Sequence, residues 1–157
     1  EHIEIPMILS HKYNKKVIRN ICDSMGMTAT LLDMLKVPMD NSYKGQSIFK
    51  NGKNFVISEN AGSGNSDLYR KDLYFTITTL NYKLMITLAN KMLTINKLYD
   101  TLKDPNELNN LYSSNNNSIY KSIINELITN IYSERKDLFK IKEIRSLNQC
   151  IKLINLN

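Results

Sequence analysis

Residues 72–99 constrain the fold of this chain more than any other stretch. Apolar and polar side chains alternate over residues 72–80, which is the period of a strand with one buried face. One side of this strand carries Leu73, Phe75, Ile77 and Thr79, and the other side carries Tyr74, Thr76 and Thr78. Asn81 is predicted to make a turn, residues 82–88 to return as the hairpin partner, and residues 92–99 to hold a further strand. The stretch therefore predicts an antiparallel meander.

Upstream of this meander, the sequence predicts a helix between two strands. Residues 3–10 and 54–59 have the composition of short strands. Residues 24–35 between them are predicted to form a helix that Asp23 or Ser24 caps and that ends at Val37-Pro38. Apolar side chains at helical spacing are expected to share one face of this helix: Met27, Leu31, Met34 and Leu35.

Downstream of the meander, residues 118–139 are predicted to form one long amphipathic helix. Its apolar stripe consists of Ile119, Ile123, Leu127, Ile131 and Leu138. Residues 141–157 have weaker apolar spacing and form either a last helix or a tail. The order of elements predicts an α+β fold, in which an antiparallel sheet of about four strands packs under the long C-terminal helix. The predicted divisions of the chain are residues 1–50, 51–140 and 141–157.

Charge and composition exclude several functional classes. The formal net charge of +6 could attract an anionic partner, but no nucleic-acid recognition motif accompanies it, so no nucleic-acid partner is expected. No apolar run approaches the roughly 18 residues of a membrane helix, so no membrane segment is expected. Cys22 and Cys150 are far apart and lack metal-ligand spacing. The usual catalytic motifs are also absent from the sequence, so we predict no catalytic and no metal-ligating residue in this chain.

The loop that begins at Glu59 is the predicted place of substrate contact. It follows the end of a strand, is rich in Gly, Ser and Asn, and carries Asn60 and Arg70. Arginine suits sulfate or carboxylate groups because its guanidinium donates two parallel hydrogen bonds. A plain surface loop with a solvated Arg70 is the alternative. The candidate contact residues are therefore Glu59, Asn60 and Arg70.

Residues 98–111 carry the strongest motif in the chain. They contain Leu-Tyr-Asp from Leu98, Asp-Pro-Asn-Glu from Asp104, and Asn-Asn-Leu ending at Leu111. This order resembles a signature near the C-terminus of sulfatases, Leu-Tyr-Asp-x-x-x-Asp-Pro-x-Glu-x-x-Asn-Leu. From residue chemistry alone, the Asp side chains are expected to bind turn backbone, while Leu98, Tyr99 and Leu111 pack against the sheet.

Further segments resemble sulfatases in the same order along residues 1–135. They are residues 1–8, 27–35, 45–48, 56–59 and 82–84, which are similar to successive strand, helix and hairpin segments of that family. Two positions depart from the family pattern, since Gly26 and Ala29 stand where Asp and Pro are usual. Both positions shape a helix, and neither is expected to take part in chemistry.

The resemblance implies that this chain is the C-terminal part of a sulfatase-like hydrolase. It implies an upstream catalytic domain with a formylglycine, made within Cys/Ser-x-Pro-x-Arg, and a calcium or magnesium ion near an Asp-His-Gly motif. Residues 1–50 would then end the α/β catalytic domain of this parent, and residues 51–140 would brace that domain and wall the substrate pocket. The expected substrate is a small-molecule or glycan sulfate ester.

Two alternatives remain open from the sequence. The parent could process phosphoesters or phosphonates, as relatives in the alkaline phosphatase superfamily do. The chain could also be a non-catalytic module that binds anionic glycans, since its surface is basic and its Asn- and Ser-rich loop lies beside a strand end.

Overall fold

The computed structural model describes residues 20–40, 42–50, 53–60, 72–89, 91–112 and 117–154. The elements in chain order are α1 (Ser24–Met34), β1 (Phe55–Asn60), β2 (Leu73–Thr79), β3 (Tyr82–Ala89), β4 (Met92–Asp100), α2 (Asn117–Glu134), α3 (Lys136–Ile141) and α4 (Leu147–Ile154). The chain divides into two compact units, Glu1–Val56 and Ile57–Asn157. The strand predicted over residues 3–10 lies outside the described residues. The divisions proposed from the sequence remain a prediction.

Helix α1 in the first unit begins where the sequence predicts. The Asp23 side chain accepts a hydrogen bond of 2.6 Å from the backbone N–H of Gly26, so Asp23 is the N-cap. The helix ends at Leu35, and the next residue, Lys36, has a positive φ of 56°. Such a left-handed residue is a common helix terminator. Capping by Asp23 places Gly26 inside the first turn.

The apolar side chains predicted to share one face of α1 are not its buried residues. Met27, Leu31 and Leu35 are exposed, whereas the buried residues of the helix are the small ones, Gly26, Ala29 and Thr30. Small side chains allow the backbone of residues 45–48 to approach closely, and a Cβ at Gly26 would lie 3.0 Å from the carbonyl oxygen of Gln46. The Thr30 hydroxyl accepts a 3.1 Å hydrogen bond from the N–H of Ile48 and donates to the carbonyl of Gly26.

The meander predicted over residues 72–99 is confirmed as β2, β3 and β4, and β1 completes a four-stranded sheet with the strand order β1-β2-β3-β4. Strands β2 and β3 pair antiparallel, with Leu73 opposite Leu88, and β3 and β4 pair antiparallel, with Tyr82 opposite Asp100. The register shifts by one residue between Met85 and Ile86, which leaves Asn96 as the extra residue of a bulge.

One face of the sheet forms the core together with the C-terminal helices. Alternating strand residues are buried on this face: Leu73, Phe75, Ile77, Leu84, Ile86, Leu88, Leu93, Ile95 and Leu98. The helices contribute Ile124, Leu127, Ile128, Ile131, Leu138, Phe139 and Cys150, and the segment between α3 and α4 contributes Ile144. Phe139 stacks on Phe75 with a centroid distance of 5.7 Å and meets Tyr132 edge to face at 5.2 Å. Residues 147–154 are therefore a packed helix, which resolves the choice between helix and tail.

The long helix predicted over residues 118–139 is broken at Arg135. Arg135 has a non-helical backbone, with φ of −126° and ψ of 38°, and its carbonyl accepts hydrogen bonds from Leu138 and Phe139. Its side chain binds Glu59 on β1 and Asp137 on α3. After the break, α3 lies against the sheet, where Phe139 stacks on the ring of Phe75.

The apolar stripe predicted for this helix was partly wrong. Leu127, Ile131 and Leu138 are buried as expected, but Ile119 is 70% exposed. A stripe that repeats every four residues rotates by about 40° per repeat around a helix of 3.6 residues per turn. The face toward the sheet is instead the i, i+3, i+4, i+7 set: Ile124, Leu127, Ile128 and Ile131.

Among the helices that the structure describes, none is long and apolar enough to cross a membrane.

Candidate functional site

The predicted substrate-contact residues Glu59 and Asn60 lie at the end of β1. Glu59 forms an ion pair with the Nη1 group of Arg135, while the Nε and Nη2 groups of Arg135 donate to Asp137 at 3.4 and 3.3 Å. Successive strand residues point to opposite faces, so Glu59 and Asn60 are directed to different sides of the sheet. Arg70 lies outside the described residues. The contact role of these three residues therefore remains a prediction.

The ion pairs of Arg135 change the acidity of the groups involved. Partial burial alone would lower the pKa of the Arg135 guanidinium, but its bonds to Asp137 and Glu59 outweigh burial and raise that pKa. The hydrogen bond from Arg135 lowers the pKa of the Asp137 carboxyl. At neutral pH, Arg135 is thus a cation that two carboxylates already neutralise. We infer that it holds the end of β1 against the helices.

The turn that follows β4 is built by two aspartates. The Asp100 Oδ1 atom accepts hydrogen bonds from the N–H groups of Leu102 and Lys103 at 3.1 and 3.0 Å. The Asp104 carboxylate accepts from Leu108 at 3.1 Å and from Asn109 at 2.7 Å. Carboxylates of Asp commonly close turns in this way. The predicted structural role of both aspartates is confirmed.

Asn110 and Leu111 return the chain to β4. The Asn110 Oδ1 atom accepts from the N–H groups of Leu98 and Tyr112 at 2.9 and 3.1 Å. The N–H of Leu111 donates to the carbonyl of Leu98 at 2.8 Å. Leu98 and Tyr99 are buried. The sulfatase-like motif is therefore a closed loop whose polar side chains satisfy its own backbone.

The sequence interpretation missed a buried ion pair between this loop and β3. The Lys83 Nζ atom on β3 donates to both carboxylate oxygens of Glu107, at 2.8 and 3.0 Å. The two side chains are only 8% and 10% exposed, and Lys83 lies on the sheet face opposite Leu84. A charge-assisted bond in such a place is stronger than one in water. Two features of the sequence could have indicated this pair: a lysine within an apolar strand and a glutamate in the sulfatase-like motif.

Metal-ligating groups do not converge in the part of the chain that the structure describes. There, no three side chains of His, Cys, Asp or Glu lie close enough together to hold a metal ion. A hard cation such as calcium or magnesium needs several converging oxygen ligands. The described residues therefore do not fit the ion that the sulfatase resemblance implies for the parent.

The comparisons with solved structures return sulfatases. A 2-O GAG sulfatase matches with a TM-score of 0.57 at 23% identity, over 71% of this chain and 24% of that protein. A sulfatase candidate from Bacteroides thetaiotaomicron matches with a TM-score of 0.56 over the same shares of each chain, also at 23% identity. A protein in complex with its substrate D-glucosamine-2-N,6-O-disulfate matches with a TM-score of 0.51 at 18% identity, over 73% of this chain and 24% of that one.

No family model matches the sequence, and no curated protein matches it. The chain spans about a quarter of the length of the solved structures that it matches. The antiparallel sheet and the helices on it correspond to the C-terminal part of those structures. This chain has the fold of the C-terminal portion of a sulfatase.

Proposed function

We propose that this chain is the C-terminal part of a hydrolase of sulfate esters. A fold by itself supports many functions. The proposal depends on two observations. Residues 98–111 resemble a sulfatase signature and form a closed loop after β4, and the chain has the fold of the C-terminal portion of a sulfatase. The sequence motif and the fold support the same family.

Within that hydrolase, we propose that this chain braces the catalytic domain and walls the substrate pocket. Support comes from the first unit, where Met27, Leu31 and Leu35 of α1 expose a helical apolar face. Burying the apolar area that these side chains still expose is favourable, so such a face is typical of a surface that another part of the protein covers. The formylglycine and the calcium or magnesium ion would belong to that other part, the upstream catalytic domain.

The proposed substrates are sulfated saccharides. Two of the matched proteins are described as a GAG sulfatase and as a complex with a disulfated glucosamine. Because Glu59 already binds Arg135, the contact with a sulfate or carboxylate group would fall to Asn60 and Arg70. The net charge of +6 favours encounter with such anionic substrates at low ionic strength.

The test is an activity assay on the full-length protein that contains this sequence. Purified protein would be offered sulfated disaccharides and matched phosphate monoesters, with and without a chelator, and released sulfate and phosphate would be measured. Chelator-sensitive sulfate release is expected. Release of phosphate alone would replace the proposal with phosphoester chemistry, and saccharide binding without turnover would replace it with a binding module.

Arg70→Ala and Arg145→Ala then form a matched pair of variants. Both remove one arginine, but Arg145 is exposed near α4, away from the end of β1. We expect Arg70→Ala to raise KM for the sulfated saccharide about tenfold with little change in kcat, because one two-point contact is lost. Arg145→Ala should leave both constants unchanged. Equal effects of the two variants would remove Arg70 from the proposed site.

A further inference from the structure

Three leucines at one end of the sheet are displayed to solvent. Leu80 in the β2–β3 turn is 58% exposed, and Leu102 and Leu108 in the loop after β4 are 69% and 79% exposed. A single exposed leucine is ordinary on a protein surface. Three exposed leucines on adjoining turns are unusual, because turns at the end of a sheet are usually polar.

Hydrogen bonds hold the two turns that carry Leu80 and Leu102 together. The N–H of Thr101 donates to the carbonyl of Asn81 at 2.9 Å, and its hydroxyl donates to the carbonyl of Leu80 at 3.1 Å. The Asp100 side chain in addition accepts from the N–H of Leu102. The positions of both leucines are therefore fixed by backbone contacts that do not involve their own side chains.

Leu108 is fixed in the same way by its neighbours. Its N–H donates to Asp104, and the preceding residue, Glu107, has a positive φ of 56° and forms the buried pair with Lys83. A non-glycine residue adopts this backbone at a cost, which the surrounding contacts must offset. Buried polar contacts of the loop thus hold Leu108 in an outward position. Such preorganised apolar groups are what a docking surface requires, because little ordering cost remains on association.

We propose that Leu80, Leu102 and Leu108, here termed the leucine end, form a docking surface for the catalytic part of the same parent protein. This inference rests on the proposed function. The length of the matched proteins indicates which partner covers the leucine end. The chain spans 24% of the solved structures that it matches, so about three quarters of such a protein remain to contact this surface. An interface within one chain is typically a surface of this kind, with a few apolar residues among polar turns.

Cysteine labelling of the full-length protein tests the proposal. L102C and L108C would place a thiol at the leucine end, and M92C would place one at the opposite end of the sheet, where Met92 is 56% exposed. In the native protein, we expect maleimide to label L102C and L108C at least about tenfold more slowly than M92C. After denaturation, the three should react at equal rates. The unsubstituted full-length protein gives the background labelling of its own cysteines, which include Cys22 and Cys150.

Labelling of L102C and L108C as fast as M92C would overturn the proposal. Protection that appears only at high protein concentration would also overturn it, since the occupant would then be a second copy of the protein. Sulfate release measured on the same samples separates the two claims. Fast labelling in an active sulfatase refutes the docking surface alone, whereas slow labelling without sulfate release refutes the proposed function and leaves the docking surface intact.

Discussion

The buried Lys83–Glu107 pair yields the sharpest stability prediction. Lys83→Met keeps the length and apolar stem of the side chain but removes its charge, and it leaves the Glu107 carboxylate buried without that cation. Removing one partner of a buried ion pair costs about 3–5 kcal/mol. Domains of this size have a total stability of about 5–15 kcal/mol, so the loss is a large share. With a urea m-value of about 2 kcal/mol/M, the unfolding midpoint should fall by about 1.5–2.5 M.

Urea unfolding followed by far-UV circular dichroism measures this loss. The matched control is Lys91→Met, which breaks the pair with Glu143, where the two side chains are 64% and 58% exposed. An exposed pair contributes about 0–1 kcal/mol, so the control midpoint should move by less than about 0.5 M.

A second substitution tests whether the charge of Glu107, once the Lys83 cation is gone, is the cause. Glu107→Gln in the Lys83→Met background replaces the buried carboxylate with a neutral amide, which should restore about 1–3 kcal/mol. If Lys83→Met costs no more than Lys91→Met, or if Glu107→Gln destabilises the Lys83→Met protein further, the explanation by loss of the buried Lys83–Glu107 pair is wrong.

Three other predictions follow from local contacts. Gly26→Ala should destabilise the protein by about 1–2 kcal/mol although alanine has the higher helix propensity, because the new Cβ would lie 2.8 Å from the Cys22 sulfur. Thr28→Ala, on the exposed side of α1, is the control and should not destabilise the protein. Urea unfolding measures both effects. Hydrogen bonds from Lys50 and Ser47 hold the pKa of Asp33 below 3.8. A carboxyl group whose pKa is lower in the folded than in the unfolded protein stabilises the fold at pH values above its unfolded pKa, and this stabilisation is lost as the pH falls through the folded pKa. The Tm should therefore decrease as the pH is lowered below about 4, and this decrease should be less steep in Asp33→Asn. Burial raises the pKa of Cys150 to about 12, so iodoacetamide at pH 8 should modify the half-buried Cys22 first and Cys150 only on unfolding; early modification of Cys150 would contradict its burial.

The sheet could be predicted from the sequence because its signal is local. Leu73, Phe75 and Ile77 alternate with polar residues, and this period directly reports one buried face. The turn chemistry of Asp100 and Asp104 is equally local, since each carboxylate binds N–H groups within five residues. Both predictions needed no knowledge of distant parts of the chain.

The helices were predicted less well because distant residues decide their details. The break at Arg135 involves no proline or glycine, and its side chain binds Glu59, which is 76 residues away in sequence. The buried side of α1 is set by contacts between Thr30 and Ile48 rather than by hydrophobic spacing. Periodicity within one helix contains neither contact, so it predicted one continuous C-terminal helix and did not indicate that small residues form the buried side of α1.

The candidate site shows the same division. Strand ends and arginine chemistry indicate Asn60 and Arg70 as substrate contacts, and this assignment stays a prediction. The Lys83–Glu107 pair joins residues 24 positions apart and could be found only once the sheet register was known. Long-range ionic contacts are therefore the part of such a site that a single sequence does not reveal.

The coding sequence immediately upstream of Glu1 tests the central claim most directly. If this chain is the C-terminal part of a sulfatase-like hydrolase, that sequence will encode Cys/Ser-x-Pro-x-Arg, which carries the formylglycine precursor, and an Asp-His-Gly motif for the metal ion. An upstream sequence that lacks both motifs would contradict the claim, and the fold would then be shared with sulfatases without their chemistry.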